Sequence, residues 1–454
     1  MSTRYVNVDR QTPMLLAPDL REWVAADDLV HFVIEAVDGL PLKTLHSNVR
    51  GTGSAQYPPR MMLALLIYCY AKGVFSSRRI EKATYHDVAV RYLTADTHPD
   101  HDTIARFRRT NFDAVAECFV GVLELAQEIG VLKVGTVSTD GTKLRANASK
   151  HQNVTYGRAG ELTTALQGEV RELLEQAERA DQDDRDDGQK LPEELARHEA
   201  LKAKLEQARE RLEQRAKQRA EAERADYEKK VEARTQRHGR RQGKMIQPPD
   251  PVPRPEEQIN MVDADSRLMR KNKHSGYEQS YNAQTVVDAE GSQLILAARV
   301  SQCASDANEL AANVAAIVAG GRPCAVLADA GYACEAQVQT LERQQIEVYV
   351  STGAEANHQR RRHDFRPSNR HHAGPKVLKA PWLLAMKAKL ETEAGRKLYA
   401  LRKQTVEPVF GIIKSVMGFR QFLLRGLAKV SGEWTLVTLA YNCKRFWNLK
   451  LALD

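Results

Sequence analysis

The chain has 454 residues, of which 42% are hydrophobic and 28% are charged, and its formal net charge is +8. This length allows several domains of ordinary size, and the composition is typical of a soluble globular protein and excludes wholesale disorder. The positive charge favours a polyanionic partner, because Lys and Arg release the counterions condensed on a nucleic acid.

The distribution of cysteines and apolar residues bears on the compartment. The six cysteines form no Cys-x-x-Cys pair and no regular spacing, which argues against a disulfide framework or a zinc site. The N-terminus lacks a long apolar signal segment, and the richest apolar run, residues 61–70, is too short to span a bilayer. We therefore expect a cytoplasmic protein with no membrane partner.

The first 130 residues are predicted to be helical. Apolar residues recur at three- and four-residue steps in three stretches, residues 29–37, 60–72 and 104–122. Two short segments combine a helix-capping residue with outward-facing basic residues, as in a DNA-binding helix-turn-helix. The arginines of these segments that we predict to contact DNA are Arg78, Arg79, Arg106 and Arg109. The alternative is a helical bundle whose arginines form a solvated face.

A change of hydrophobic period follows these helices. Residues 134–139 are short and β-branched and lead into Asp140 and Gly141, which predicts a strand ending in an acidic turn. Residues 142–146 are predicted to return as the second strand of a hairpin.

The middle of the chain is dominated by Glu, Lys, Arg, Ala, Gln and Leu, from about residue 160 to residue 241. An acidic break at residues 181–192 predicts two long helices in an antiparallel hairpin. The second helix carries an apolar stripe typical of coiled-coil packing. The stripe consists of Leu201, Leu205, Ala208 and Leu212. A proline-rich linker follows.

Beyond the linker, strands and helices alternate. We predict strands at residues 281–288 and 293–300, a helix at 306–318, an apolar strand at 323–328, a helix at 333–343 and a strand at 346–350. The fourth of these segments delivers Asp329 at its end. The order predicts a mixed α/β sheet, and the chain contains no Gly-x-Gly-x-x-Gly motif or P-loop that would indicate a nucleotide fold.

Three acidic residues are candidates for chemistry. Asp140 and Asp329 each follow an apolar strand, where side chains of an α/β sheet emerge into a cleft, although a lone aspartate there is more often a turn residue. Glu407 stands in a stretch, residues 401–414, that is otherwise poor in acids. Two negative charges about 4 Å apart repel by about 4 kcal/mol at an effective dielectric near 20, so a cluster of three needs a cation. Mg²⁺, which prefers oxygen ligands, is the expected one.

Several blocks together resemble the DDE transposases of bacterial insertion sequences, in the group marked by a Tyr-Arg-Glu-Lys signature and numbered eleven-eighty-two. The three acidic blocks that carry this resemblance are STDGTKLRANASK, VLADAGY and RKQTVEPVFGIIKSVMGFRQFLLRG. The block YPPRMMLALLIYCYAKGVFSSRRIEK resembles that group's N-terminal DNA-binding domain.

The resemblance implies an RNase H-like catalytic domain with an inserted helical hairpin, preceded by an all-α DNA-binding domain. The implied divisions are the helical N-terminal domain at residues 1–130, the first part of the catalytic domain at 131–158, the inserted hairpin at 159–245, the proline-rich linker at 246–258 and the remainder of the catalytic domain at 259–454.

The implied activity is cleavage and joining of DNA. The enzyme would bind terminal inverted repeats, hydrolyse the phosphodiester at the element ends and join the 3′-OH ends to target DNA, as a homodimer in the nucleoid. Two Mg²⁺ ions, for which Mn²⁺ could substitute, would be bridged by Asp140 and completed by Asp329 and Glu407 respectively.

The signature matches in part. Lys414 lies seven residues after Glu407, as in the family, which suits contact with a DNA phosphate from the same helix face. Tyr399 and Arg402 keep the family's first interval, but Arg402 precedes Glu407 by five residues where the signature has four. Lys403 restores the second interval and breaks the first, so the DNA-contacting role stays open among these three.

Two local features qualify the site. Pro408 directly follows Glu407 and disfavours helical geometry there, so we expect Glu407 at a helix start or a kink. The histidines among the arginines of residues 360–372 stand in too positive a setting for a metal site, and they favour a flexible basic loop that touches the DNA backbone over a purely solvated loop. These histidines are His363, His371 and His372.

Three other functions remain open at this point. A metal-dependent nuclease that cuts without joining would share every carboxylate. A non-catalytic DNA-binding regulator would explain the charge and the helices but not the three acidic blocks. A coiled-coil structural protein would explain only the middle of the chain.

Overall fold

The computed structural model describes residues 19–46, 56–183, 191–238, 246–271, 274–318, 320–353 and 378–452. It is a mixed α/β protein, as the sequence predicted. Among these residues, no helix combines the length and the apolar character needed to cross a membrane.

The described N-terminal part is built from helices. They are α1 (Leu29–Gly39), α2 (Pro59–Ala71), α3 (Ser77–His86), α4 (Val88–Leu93), α5 (His101–Thr110) and α6 (Phe112–Glu128). Side chains of Asp28, Ser76 and Asp100 accept backbone N–H groups at the starts of α1, α3 and α5, which satisfies donors that a helix leaves unpaired. Every residue of α2 from Met62 to Ala71 is buried, because this helix is apolar all round.

A mixed sheet forms the centre of the fold. In the described part of the chain its strands run in the order β4-β5-β1-β7-β8, with β6 also paired to β5. The strands are β1 (Thr136–Arg145), β4 (Arg267–Met269), β5 (Glu278–Asp288), β6 (Ile295–Ser301), β7 (Ala325–Ala328) and β8 (Glu347–Val350). A separate pair consists of β2 (Asn153–Thr155) and β3 (Gln258–Asn260). Strand β1 pairs antiparallel to β5 and parallel to β7.

The predicted hairpin at Asp140 is wrong. Strand β1 continues through Asp140 and Gly141 as one strand, so Asp140 lies within a strand and not in a turn. The physical reason is that β5 offers antiparallel partners along the whole of β1, including Gln284 opposite Gly141. The predicted second strand therefore pairs with a distant segment of the chain.

The helix predicted at residues 306–318 is shorter than expected. The helix α9 spans only Leu310–Ala315. Asp306 does not cap it, because its side chain accepts hydrogen bonds from Asn282 and Gln284 of β5. The next helix, α10 (Glu335–Arg343), lies where the sequence predicted it.

The two long helices of the hairpin are present as predicted. They are α7 (Tyr156–Asp183) and α8 (Leu191–His238), and the centre of the acidic break falls outside the described residues. Leu205, Ala208 and Leu212 pack in a cluster with residues of α7, β2 and β3, whereas Leu201 is largely exposed. The apolar stripe thus anchors the base of the hairpin to the small sheet.

The C-terminal helices join the N-terminal helices to the sheet. They are α11 (Pro381–Glu391), α12 (Glu393–Gly411) and α13 (Leu427–Leu451). Helix α13 packs against α1, α2, α6 and β6, and the apolar side chains of all these elements form one continuous core. Trp434, Tyr441 and Phe446 of α13 are buried in it.

Candidate active site

Asp140 and Asp329 are brought together by the pairing of β1 with β7. The parallel register sets Thr136 opposite Ala325 and Ser138 opposite Leu327. Continued by two residues, this register places Asp329, directly after β7, opposite Asp140. Side chains at matching positions of neighbouring parallel strands lie on the same face of a sheet. These two carboxylates are therefore neighbours, although 188 residues lie between them in the sequence.

The negative charge of this pair is only partly compensated. The side chain of Asp140 is 20% exposed. Its burial, followed by the negative charge of Asp329, raises the pKa of Asp140 to about 7, even though Arg402 acts in the opposite direction. A site with this electrostatic character favours the binding of a cation.

Arg402 connects the aspartates to the third acidic residue. Its Nη1 lies 3.4 Å from Oδ2 of Asp140, and its Nη2 lies 3.2 Å from Oε1 of Glu407. The Arg402 side chain is 13% exposed, whereas that of Glu407 is 51% exposed. Burial acts against the charged form of Arg402, but Tyr399 and the three carboxylates outweigh it, so the pKa of Arg402 lies above its ordinary value. The guanidinium group of Arg402 thus bridges the carboxylates of Asp140 and Glu407.

Tyr399 lies beside the same pair of strands. Its hydroxyl donates a hydrogen bond of 3.2 Å to the carbonyl of Ala328, the residue before Asp329. Tyr399 and Arg402 are three residues apart on α12 and therefore share a helix face. Lys403 is exposed to solvent, although its spacing to Glu407 fits the signature better.

Glu407 lies inside a helix and not at its start. Helix α12 continues through Pro408, which has no N–H to give to the carbonyl of Gln404. The side-chain amide of Gln293, in the connection between β5 and β6, donates a 2.7 Å hydrogen bond to that carbonyl. This contact ties α12 to the sheet at the turn that carries Glu407.

Lys414 is directed towards the sheet. It lies in a π-helical segment, Ile412–Val416, that follows α12, and its ammonium group donates a hydrogen bond to the hydroxyl of Thr142 on β1. Burial, together with the nearby charge of Lys271, lowers the pKa of Lys414 to about 8. Lys414 therefore lies along β1 close to Asp140.

A fourth carboxylate, Asp306, was missed from the sequence. Its Oδ1 accepts hydrogen bonds of 2.7 Å from the amides of Asn282 and Gln284, and its charge also contributes to the raised pKa of Asp140. The sequence analysis placed it only as the first residue of the helix predicted at 306–318. The long-range pairing of β5 with β1, which no local pattern reveals, brings its partners to the site.

The glycines that follow the two aspartates make room for this arrangement. A Cβ at Gly141 would lie 2.2 Å from Nε2 of Gln284 and 2.7 Å from Oδ1 of Asp306. A Cβ at Gly331 would lie 2.9 Å from Oδ1 of Asp329. A glycine one residue after Asp140 and two residues after Asp329 therefore indicates that other side chains pack closely against the backbone at these positions.

The donor chemistry of the pair fits a divalent metal ion. Asp140 and Asp329 supply carboxylate oxygens, the ligands that Mg²⁺ prefers, and the charge of Asp329 is, after burial, the second cause that raises the pKa of Asp140. Within the described ranges, no group of three or more His, Cys, Asp and Glu side chains is arranged to hold a metal ion. At this site Arg402 contacts both Asp140 and Glu407.

The arginines proposed to contact DNA lie on the surface of the N-terminal helices. Helix α3 packs against α5, and the side chains of Arg78, Arg79, Arg106 and Arg109 are exposed. The neighbouring Arg108 is buried and donates hydrogen bonds to Tyr70 and to the carbonyl of Phe75. A helix-turn-helix function of α3 and α5 stays a prediction. The basic loop with His363, His371 and His372 lies outside the described residues.

Comparison with protein families gives two matches. Residues 18–110 match the family described as "Transposase domain (DUF772)", and residues 250–443 match the family described as "Transposase DDE domain". The second match contains Asp329 and Glu407, whereas Asp140 and the hairpin α7–α8 lie between the two matched ranges. No curated protein and no solved structure matches the chain.

Proposed function

We propose that this chain, which carries two transposase domains, is a DDE transposase that cuts DNA at the terminal inverted repeats of a bacterial insertion sequence and joins the 3′-OH ends to target DNA. The observation that carries the proposal is the side-by-side placement of Asp140 and Asp329 at the centre of the sheet, with Glu407 connected to them through Arg402.

The topology supports an RNase H-like catalytic domain. The two aspartates come from neighbouring parallel strands, β1 and β7, and β5 adds an antiparallel neighbour to β1. Helix α12 contacts β1, β5 and β7 and brings the third acidic residue from the far end of the sequence. The fold thus collects its acidic residues from three separate parts of the chain.

Asp140, Asp329 and Glu407 are the residues that would hold the two Mg²⁺ ions of this reaction. When bound, the ions supply activation of the attacking oxygen and stabilisation of the leaving 3′ oxygen. Tyr399 holds the end of β7 through the carbonyl of Ala328, so it positions Asp329. Arg402 orients Asp140 and Glu407 through its two nitrogens.

Lys414 is suited to hold a phosphate group of the substrate. Its ammonium group is fixed against Thr142, close to Asp140 on the same strand. A fixed positive charge beside the acidic pair attracts a DNA phosphate that the carboxylates alone would repel. The same residue then contributes to orientation of the reacting phosphodiester.

The decisive experiment measures Mg²⁺-dependent cleavage of a labelled duplex that carries the element's own terminal repeats. The full chain should cleave at the element end, and Asp329→Asn should abolish cleavage because it removes a charged oxygen ligand without changing the shape of the side chain. Asp250→Asn makes the same chemical change at an exposed aspartate of the linker and should leave cleavage unchanged.

Joining is tested separately with precut ends and plasmid DNA. Insertion of the precut ends into the plasmid supports a transposase. Cleavage without insertion would instead identify a nuclease, and sequence-specific binding without either reaction would identify a non-catalytic DNA-binding regulator.

A further inference from the structure

An exposed aromatic ring stands among three clefts beyond the acidic site. Tyr277, in the connection between β4 and β5, is 51% exposed and lines clefts of about 450, 290 and 300 Å³. Soluble proteins usually cover large aromatic side chains, and an aromatic ring exposed among concave surfaces is suited to contact a flat ligand.

The two smaller clefts are lined by positive charge. Lys143, Lys150 and Lys271 line the cleft of about 300 Å³, and Lys150 also lines the cleft of about 290 Å³ together with Arg145. Glu278 lines both clefts and offsets one of these charges. In addition, the guanidinium group of Arg270 lies 5.4 Å from the centre of the Tyr277 ring, within the range of a cation–π contact.

This basic surface runs away from the acidic site. Lys143 follows Asp140 by three residues on β1, which corresponds to about 10 Å along the strand and places its Cβ on the opposite face of the sheet from that of Asp140. Its ammonium group donates a 3.0 Å hydrogen bond to the carbonyl of Arg270, so it joins the segment before Tyr277 to β1. Lys271 lies close enough to Lys414 for its charge to lower the pKa of Lys414. Lys414 and Lys271 therefore connect the reacting centre to the cleft of about 300 Å³.

We propose that Tyr277, Lys143, Lys150 and Lys271 bind an unpaired stretch of the DNA substrate, with the Tyr277 ring stacked on a base and the lysines on the phosphates. The proposal rests on the proposed function, because it assigns a strand of that reaction's substrate to this surface. A ring can stack on the face of a base only where the base is not covered by its neighbours. The combination of a basic groove and an exposed aromatic platform is the arrangement by which proteins bind single-stranded nucleic acid.

The distance predicts which nucleotide stacks on the ring. Arg145 of β1 pairs with Ser280, three residues after Tyr277, so the register, when continued, places Tyr277 about eight residues beyond Asp140, or about 26 Å along the strand. One strand of a duplex advances 3.4 Å per nucleotide along the axis, so this separation corresponds to about eight nucleotides from the reacting phosphate. A fluorescent base analogue, 2-aminopurine, placed at that position of a precut end should be quenched when the protein binds. The same analogue ten nucleotides further along should not be quenched.

Binding of a short single-stranded oligonucleotide to the full chain, measured without Mg²⁺, isolates this surface from cleavage. Stacking of one base contributes roughly 1–3 kcal/mol, so Tyr277→Ala should weaken binding roughly 5- to 150-fold and abolish the quenching. Tyr277→Phe keeps the ring and should bind as the wild type does. Lys271→Gln should reduce the slope of log affinity against log salt by about 0.7. Lys204→Gln, at an exposed lysine of α8, is the matched control and should change neither the affinity nor its salt dependence.

The outcomes separate this inference from the proposed function. If Tyr277→Ala binds and quenches as the wild type does, or if Tyr277→Phe loses as much as Tyr277→Ala, the stacking platform is refuted even where the wild type cuts and joins DNA. If the wild type neither cuts nor joins its repeats, the proposed function fails, and a loss of oligonucleotide binding in Tyr277→Ala still supports a single-strand site.

Discussion

Replacing Glu433 by glutamine should stabilise the protein at neutral and alkaline pH. Glu433 is on α13 and is fully buried, where α13 meets the N-terminal helices. Its Oε2 accepts the backbone N–H groups of Leu423 and Leu424, each at 3.0 Å. Burial raises the pKa of Glu433 from its ordinary value of 4.5 to about 7, against the lowering effect of these hydrogen bonds and of Arg108.

The sign and size of the effect follow from this shift. The folded protein holds the proton of Glu433 more tightly than the unfolded chain, so the stabilising contribution is complete below pH 4.5 and is lost as the pH rises through about 7. The difference between the two pKa values corresponds to roughly 3 kcal/mol. Glutamine keeps an oxygen that can accept both N–H groups and carries no charge, so the variant escapes this loss.

Urea denaturation of the full chain at pH 5 and at pH 8 measures the effect. The free energy of unfolding of Glu433→Gln, relative to the wild type, should rise by roughly 3 kcal/mol between the two pH values. Arg108→Met should make the pH dependence of the otherwise unchanged chain steeper, because it removes a positive charge beside Glu433. A relative stability of Glu433→Gln that stays constant or falls towards pH 8 would refute the reasoning, since attraction to Arg108 would then outweigh burial.

Two further substitutions test the geometry of α12. Arg402→Ala should lower the rate of DNA cleavage roughly 10- to 100-fold, as loss of a residue that orients metal ligands does. Lys403→Ala should leave the rate unchanged, because that side chain is exposed. Equal losses of cleavage in the two variants would contradict the assignment of the orienting role to Arg402. Gln293→Asn is too short to reach the carbonyl that Pro408 leaves without a donor and should lower the free energy of unfolding by about 1 kcal/mol; unchanged denaturation would mean that water replaces the amide.

Local sequence patterns were sufficient where the structure depends on neighbouring residues. The apolar run before Asp329 predicted strand β7, and the acidic break at residues 181–192 predicted the two helices of the hairpin. Both features arise from hydrophobic period and turn composition within a short window. They located strand β7 and the two helices of the hairpin in the sequence without any knowledge of their partners.

Contacts between distant segments could not be predicted in the same way. Strand β1 continues past Asp140 because β5, about 140 residues later, pairs with it along its length. The burial of Arg108 could not be predicted from the sequence of α5, because the side chain is held by a hydrogen bond to Tyr70 on another helix, α2. Spacing also could not choose between Arg402 and Lys403, because adjacent residues on a helix differ by about 100° in direction and only the packing of α12 shows which of them faces the sheet.

The position of Arg402 between Asp140 and Glu407 leads to a final prediction about metal binding. A guanidinium group that contacts both carboxylates competes with a cation for the same oxygens. Arg402→Ala should therefore bind Mg²⁺ more tightly than the wild type, by roughly tenfold or more, as expected when a positive charge beside a carboxylate is removed. Arg402→Lys keeps the positive charge and is the control.

Isothermal titration of Mg²⁺ into the protein without DNA measures this affinity directly and does not depend on catalysis. If Arg402→Ala binds Mg²⁺ more tightly and yet cuts DNA more slowly, the arginine both occupies the cation position in the free protein and orients the carboxylates during the reaction. If Arg402→Ala binds Mg²⁺ no better than Arg402→Lys, the guanidinium group does not compete with the ion. The oxygens of Asp140 and Glu407 that contact Arg402 are then not the ones that bind Mg²⁺.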